Sequence, residues 1–422
     1  MTSIKKALEI KDPIHGYVSI SDIEKDILDL RMAQRLRNIK APTCIHLVFP
    51  GADPSLFGHV VGVIHVTDVF MDYLGGDVNE IQAGRLTALL LILGRGAWEN
   101  VMEEYLAIRG ISRTKVLKLA IEGTELGDVI EKSPLTKIEV IDFLEKGVPL
   151  KSVRVNLLEN PINPTLVDRL ERDAYFAGVE YAQLEYRRLF ASTRIAKNKI
   201  AINRGALFTL ESYLSAGANM FDAVYYHKTV RAADLMLLRI LELAGTELVP
   251  FPTDDIEAYI RFDDISFHDV LLHAGPEDSE EMQEAGKIFR EYRKRNLIKL
   301  AAQRSVTNAD FLKKIATPDG LYKIETEIAE EADLDPSNVY LDYPDRLSVM
   351  FYPGMHPLDD LVLFERGSRG YEFFSLPETS QVARSFYRVL KSIRVYTTRG
   401  YRTKLRKVAE QFLESIDEPT SK

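Results

Sequence analysis

Apolar residues recur at helical spacing through most of the chain. The pattern predicts a helix over Asp22 to Lys40, and others over His59 to Tyr73, Asn79 to Leu93, Lys115 to Ile121, Thr165 to Phe190 and Leu207 to Leu243, punctuated by Gly, Pro and Asn. Ahead of them, Ile10 to Ile20 reads as an extended start with a proline turn. After about Asp319 the texture changes. Asn338 to Tyr343, Leu361 to Glu365 and Tyr371 to Leu376 look like short strands between turns rich in Pro and Gly, closed by a helix over Lys404 to Ser415. The expected fold is mainly α: a helical domain over residues 1–320 and a small α/β lobe over residues 321–422, divided near residues 305–325.

With 46% apolar residues, the 422-residue chain has ample material for a core, which excludes wholesale disorder. The 54 Lys and Arg against 63 Asp and Glu leave a net charge of −9, arguing against a whole-protein footprint for nucleic acid or an anionic membrane. A local exception is Arg394 to Lys407, RVYTTRGYRTKLRK, basic throughout and interleaved with Tyr396 and Tyr401; such a run can track single-stranded nucleic acid, though a solvated face is its commoner role. The single cysteine, Cys44, cannot form an intramolecular disulfide or a cysteine metal cluster, and it reads as a small buried hydrophobe. A reducing, cytoplasmic setting is expected. The most apolar run, Leu86 to Leu93, is far short of the roughly twenty residues a membrane span needs, so no membrane is expected. Neither His59 and His65 nor His268 and His273 have the i, i+4 spacing of a helical metal pair, and Thr253 to Asp255 reads as a helix cap rather than a carboxylate cluster.

Five stretches in order carry more. They are KDPIHGYVSI, DLRMAQRLRNIK, VFPGADPSLFGHVVGV, DRLERDAYFAGV and VYYHKTVRAADLMLL. Together they resemble the HD-domain deoxynucleoside triphosphate triphosphohydrolases, over most of Ile10 to Leu243. The resemblance implies an HD-type helical core, a homo-oligomer, and a divalent metal held by a histidine, a His-Asp pair and a distant aspartate, which would activate water and neutralise phosphate charge.

This chain departs from that pattern at the metal. The first ligand matches His59, but the His-Asp pair aligns with Leu91 and Ile92, the following catalytic histidine with Arg95, a further histidine with Asn100, and the downstream aspartate with Thr165. A single neutral imidazole does not hold a hard divalent ion, so no cofactor is expected and the aliphatic replacements should pack as core. Substrate contacts are eroded as well: Leu56, Leu166, Arg169 and Ala41 stand where relatives keep phosphate- or sugar-binding residues. Asp173, which in relatives meets the sugar hydroxyl, and Tyr225, His227 and Lys228, which line the phosphate side, are retained as a vestigial pocket with His59 and Arg95. Asp29, Gln34, Arg35 and Arg37 match a regulatory site that in the family takes a purine nucleotide at a subunit interface. The plainer reading is a helix whose arginines pair with acids such as Asp26 and Glu24.

The expected function is therefore non-hydrolytic: a degenerate family member with a regulatory, assembly or nucleotide-sensing role. The alternatives are an active metal-dependent phosphohydrolase on nucleoside triphosphates, and nucleic-acid binding through the C-terminal basic segment.

Overall fold

The computed structural model describes residues 4–157, 160, 162–196, 199–306, 308–343, 361–368, 370–386 and 392–416. A hairpin opens the chain, β1 (Lys6–Asp12) against β2 (Gly16–Ser21), because Asp12 accepts from the Ile14 and His15 amides and closes the turn. The single helix expected over Asp22 to Lys40 is broken. α1 (Asp22–Leu28) ends before the extended Leu30, and α2 (Arg31–Gln34) tightens into a 3₁₀ turn over Arg35–Asn38. α3 (Leu56–Tyr73) and α4 (Val78–Leu93) follow close to expectation and pack along each other, each capped by an N-terminal oxygen, from Ser55 and Asp77.

Four helices and a hairpin follow that helical spacing did not single out or only partly covered: α5 (Glu99–Ala107), α6 (Arg113–Gly123), α7 (Glu125–Ile130), α8 (Lys137–Lys146) and the small hairpin β3 (Val148–Leu150) with β4 (Val153–Val155). α9 (Pro164–Ala177) stops at Gly178, whose φ of 68° is left-handed, so the helix expected to reach Phe190 resumes only as α10 (Tyr186–Ala191). After β5 (Thr193–Ala196) and β6 (Lys199–Asn203) come α11 (Leu207–Met220) and α12 (Lys228–Leu248), separated by an i→i+5 turn over Phe221–Tyr225. α13 (Ile256–Tyr259), capped by Asp255, α14 (Asp264–His273) and α15 (Glu280–Arg293) complete the helical part.

The remainder is β7 (Lys299–Ser305), α16 (Ala309–Ile315), α17 (Pro318–Glu331), β8 (Val339–Asp342), β9 (Val362–Gly367), β10 (Gly370–Ser375), α18 (Leu376–Thr379), α19 (Gln381–Phe386), β11 (Ser392–Thr397) and α20 (Arg402–Ser415). The strands expected in one lobe divide between two sheets. β8 and β7 flank β11, and with α16, α17 and α20 they enclose a second core that includes Ile324, Ile328, Val395 and Leu405. β9 instead pairs in parallel with β6, within the sheet β10-β9-β6-β5, and Leu363 joins the main core. The small α/β lobe thus begins with β7, and the chain returns to the helical domain before finishing it.

A buried cation fastens lobe to core. Arg231 on α12, 0% exposed, lies 2.8 Å from Asp342 on β8, 3.3 Å from Glu104 on α5 and 3.6 Å from Asp234. Among the described residues no helix is long and apolar enough to cross a membrane.

Candidate functional site

His59 sits within α3, fully buried, and its Nδ1 lies 2.6 Å from Oδ2 of Asp168 on α9. Asp168 also faces His15 Nε2 at 2.7 Å, and accepts from Arg172 Nε at 3.0 Å and Nη2 at 2.8 Å; Arg172 in turn reaches Asp12 at 2.9 Å. A β-carbon on Gly62 would overlap the Asp168 carboxylate, so a glycine is what lets α3 and α9 approach here. Burial alone would raise the Asp168 carboxyl, but Arg172 and the two imidazoles hold it well below the usual carboxylate range. Burial, together with Arg169, pushes His59 down to about 3 against the hydrogen bond its ring donates to Asp168, so the ring is neutral at neutral pH. Its outer nitrogen, Nε2, is buried without a hydrogen-bond partner among the described residues.

The other three ligand positions carry no donor suited to a metal. Leu91 and Ile92 lie buried in the last turn of α4. Thr165 is buried at the start of α9, its hydroxyl 2.5 Å from Oδ1 of Asn163, the residue that caps that helix. Among the described residues no three His, Cys, Asp or Glu side chains gather as a metal cage requires. His59 with two aliphatic neighbours and a committed hydroxyl does not fit a hard divalent cation, which wants several oxygen or nitrogen ligands.

Beside these positions lies a protein ion network. Arg95 is buried and paired with Glu99, and its Nη1 lies 3.6 Å from Glu103. Arg169 shares Glu99 at 2.5 Å and stands 4.0 Å from Asp173. The Tyr225 hydroxyl donates to Asp173 at 2.8 Å, and burial pushes the Asp173 carboxyl up to about 7. Of the expected vestigial residues, His59, Arg95, Asp173 and Tyr225 therefore converge. His227 and Lys228 do not join them: His227 caps α12 by accepting from the Thr229 amide, and Lys228 is exposed. Asn100 accepts from the Thr43 amide at 2.9 Å and donates to Asp234. Sequence reasoning missed Asp168, His15 and Glu99. The spacings of four in Asp168–Arg172 and Arg95–Glu99 were the local signals, while their other partners lie far apart in the chain.

The regulatory quartet splits. Arg35 is buried and donates to the carbonyls of Phe262, Leu93 and Arg95, bracing the chain beside the former pocket. Asp29, Gln34 and Arg37 stay near the surface. Asp29 lies 3.4 Å from Lys25, while Gln34 donates to Leu28 and accepts from Arg37, whose guanidinium rests 3.7 Å from the centre of the Phe57 ring. Neither arginine pairs with Glu24, which holds Arg85 instead, or with Asp26.

Arg37 opens onto a cavity of about 570 Å³ whose wall includes Lys40, His46, His268, Arg293 and Arg295, with Asp53 and Asp264 as its acids. Burial and the positive charge of Arg293 and Lys40 push His268 down to about 4. A few residues away Lys299 is depressed by burial and then by Arg399, Arg295 and Arg402, a second cationic surface.

Comparison with known proteins places the chain among relatives by sequence and fold. The family profile described as "HD associated region" matches residues 184–422. An uncharacterized Bacillus subtilis protein, YwfO, is 32% identical over 241 residues, covering 56% of this chain and 55% of the relative. A Dictyostelium discoideum protein named deoxynucleoside triphosphate triphosphohydrolase SAMHD1 homolog is 23% identical, covering 81% of this chain and 69% of its own. The human deoxynucleoside triphosphate triphosphohydrolase SAMHD1 is 22% identical, covering 72% and 56%. The chain spans just over half the length of YwfO and of a similar Methanocaldococcus jannaschii protein. A crystal structure of a hypothetical Aquifex aeolicus protein shares the fold, with a TM-score of 0.72 at 23% identity over 95% of this chain and 99% of that one. A profile covering more than half of the sequence, joined to these relatives, places the chain in the HD-associated family, related to the HD-domain deoxynucleoside triphosphate triphosphohydrolases.

Proposed function

We propose that this chain is a non-hydrolytic member of its family, a regulatory or assembly protein that senses a nucleotide and acts as a homo-oligomer in the cytoplasm. The observation that carries this reading is the filling of three metal-ligand positions by buried Leu91, Ile92 and Thr165, with Arg95 bound to Glu99 beside them. Without a metal, the pocket has no group that generates hydroxide near neutral pH, since an arginine does not lower the pKa of water as a bound divalent ion does.

Nucleotide sensing draws on the names of the triphosphohydrolase relatives and on the cavity bordered by Arg37. Its four permanent cations against two carboxylates suit a polyphosphate, and its volume holds a purine nucleotide. Thermal unfolding with GTP and each dNTP tests the idea. A nucleotide-dependent rise that Arg37→Ala or Arg295→Ala removes supports it, and no rise with any nucleotide leaves only the assembly role. Metal-dependent turnover that His59→Ala abolishes would instead make the chain an active phosphohydrolase. A second reading, single-stranded nucleic acid, is favoured by the convergence of Arg295, Lys299, Arg399 and Arg402. Oligonucleotide retention that falls steeply with salt would support it.

A further inference from the structure

The short helix α14 turns Phe267 and Leu271 into the core, yet it leaves Ile265 61%, Leu272 43% and Val270 39% exposed. Every other described element exposes at most one large hydrophobic side chain, so three within these ten residues form a patch rather than scatter. Ile265 and Leu272 lie seven residues apart, two turns along one face, with His268 and Asp269 between them and Val270 on the shoulder.

The two ends of this face carry opposite charge. α15 runs antiparallel to α14, with Gly286 beside Leu271 and Phe289 beside His268, so its last residue, Arg293, stands at the first turn of α14. Arg37, Lys40 and Arg295 border the same cavity wall as Ile265. Of the acids there, Asp53 is paired with Lys40, and Asp264 is buried under the Lys40 and Trp98 amides. Arg261 and Asp263, just ahead of the helix, contribute one charge of each sign, and Asp263 caps it. At the other end Asp269 is followed by the exposed acids Glu277, Asp278, Glu280 and Glu281. Against them stand Arg290, which donates to the Ala274 carbonyl, and Lys287, which is paired with Glu284.

We propose that a second copy of this chain docks antiparallel on α14, about a two-fold axis between His268 and Asp269, an inference that rests on the homo-oligomer reading above. Such an axis sets Ile265 of each copy against Leu272 of the other, so the apolar contact is made twice. It also carries the acidic turn of each copy toward the cationic end of the other, whereas a parallel pairing would oppose like charges. Apolar burial and charge thus favour the same arrangement. Since Ile265 and His268 border the cavity beside Arg37, the second copy covers that side of it.

Analytical ultracentrifugation of the full chain over a concentration series tests this. The wild type should associate, and Ile265→Asp and Leu272→Asp, both at exposed positions, should each weaken the association by about tenfold or more. Glu277→Lys with Asp278→Lys should weaken it too and reduce its sensitivity to salt. The double variant Ile265→Cys/Leu272→Cys should yield a disulfide-linked dimer under mild oxidation. Its two thiols, about 10 Å apart along one helix, cannot bridge within a chain, and Cys44 is buried. A wild type that stays monomeric would overturn both this inference and the homo-oligomer reading. A wild type that associates, with aspartate variants that associate equally and no disulfide-linked dimer, would overturn this inference alone.

Discussion

Asp168→Asn is the sharpest probe of how the site is built. The carboxylate is 0% exposed and takes two contacts from Arg172, at 2.8 and 3.0 Å, one from His15 at 2.7 Å and one from His59 at 2.6 Å. The amide keeps the shape but loses the charge, and its NH₂ group meets donors that it cannot satisfy. Arg172 would remain buried with only Asp12 as partner. Removing one member of a buried hydrogen-bonded ion pair costs about 3–5 kcal/mol, because the other is left uncompensated. The four contacts overlap in one network, so their separate contributions do not add. Urea denaturation at pH 7 should therefore show a loss of about 4 kcal/mol. The pH dependence carries the sign. Asp168 is held well below its unfolded value of about 3.9, so its contribution is present above that pH and fades as pH falls through the depressed folded value. The gap between wild type and variant should hold from pH 7 down to about 4 and narrow below it. A variant within about 1 kcal/mol of wild type at pH 7 would refute the claim that Asp168 anchors His59 and Arg172.

Arg231→Met should cost about 3 kcal/mol or more, because Asp342, Glu104 and Asp234 would lose their shared buried cation; urea denaturation measures it, and a loss below about 1 kcal/mol would show that the lobe is fastened elsewhere. Asp173, pushed up to about 7, keeps its proton in the folded chain where the unfolded chain has lost it, so it lowers stability as pH rises from about 4 to about 7. Asp173→Asn should flatten that fall and stabilise the protein by about 1–2 kcal/mol at pH 8; a variant less stable than wild type there would contradict the assignment. His59, pushed down to about 3, works in the opposite sense: as pH falls below about 6.5 the unfolded ring gains a proton that the folded one refuses, and stability drops. His59→Phe, read by thermal unfolding from pH 7 to pH 5, should weaken that acid-side loss.

The sequence carried the fold class and the centre of the site unequally. α3 and α4 were legible because caps and apolar spacing agree, and both are sandwiched in the core. The run from Leu207 to Leu243 looked continuous since the apolar period carries through the i→i+5 turn, while the turn itself is enforced from elsewhere: Tyr226 donates to the Ser392 carbonyl, and Arg394 of β11 donates to the Tyr226 carbonyl at 2.5 Å. Strand partners were not legible, because β9 reaches β6 across some 160 residues and hydrophobic alternation does not name a neighbour. Arg35 and Arg37, two residues apart, read alike in sequence and ended on opposite sides of the 3₁₀ turn, one in the core and one over Phe57. Leu91, Ile92 and Thr165 could be matched by position in the sequence to the ligand positions of the resembling family. The ion network beside them was not legible, since Glu99 and Arg169 meet only in three dimensions.

The central claim is that the pocket around His59 is packed interior rather than a metal site. Elemental analysis of the purified chain, together with a triphosphate-release assay on each dNTP with Mg²⁺ or Mn²⁺, tests it most directly. The account predicts no stoichiometric divalent ion and no metal-dependent turnover. One tightly held ion per chain, lost together with turnover in His59→Ala, would contradict it.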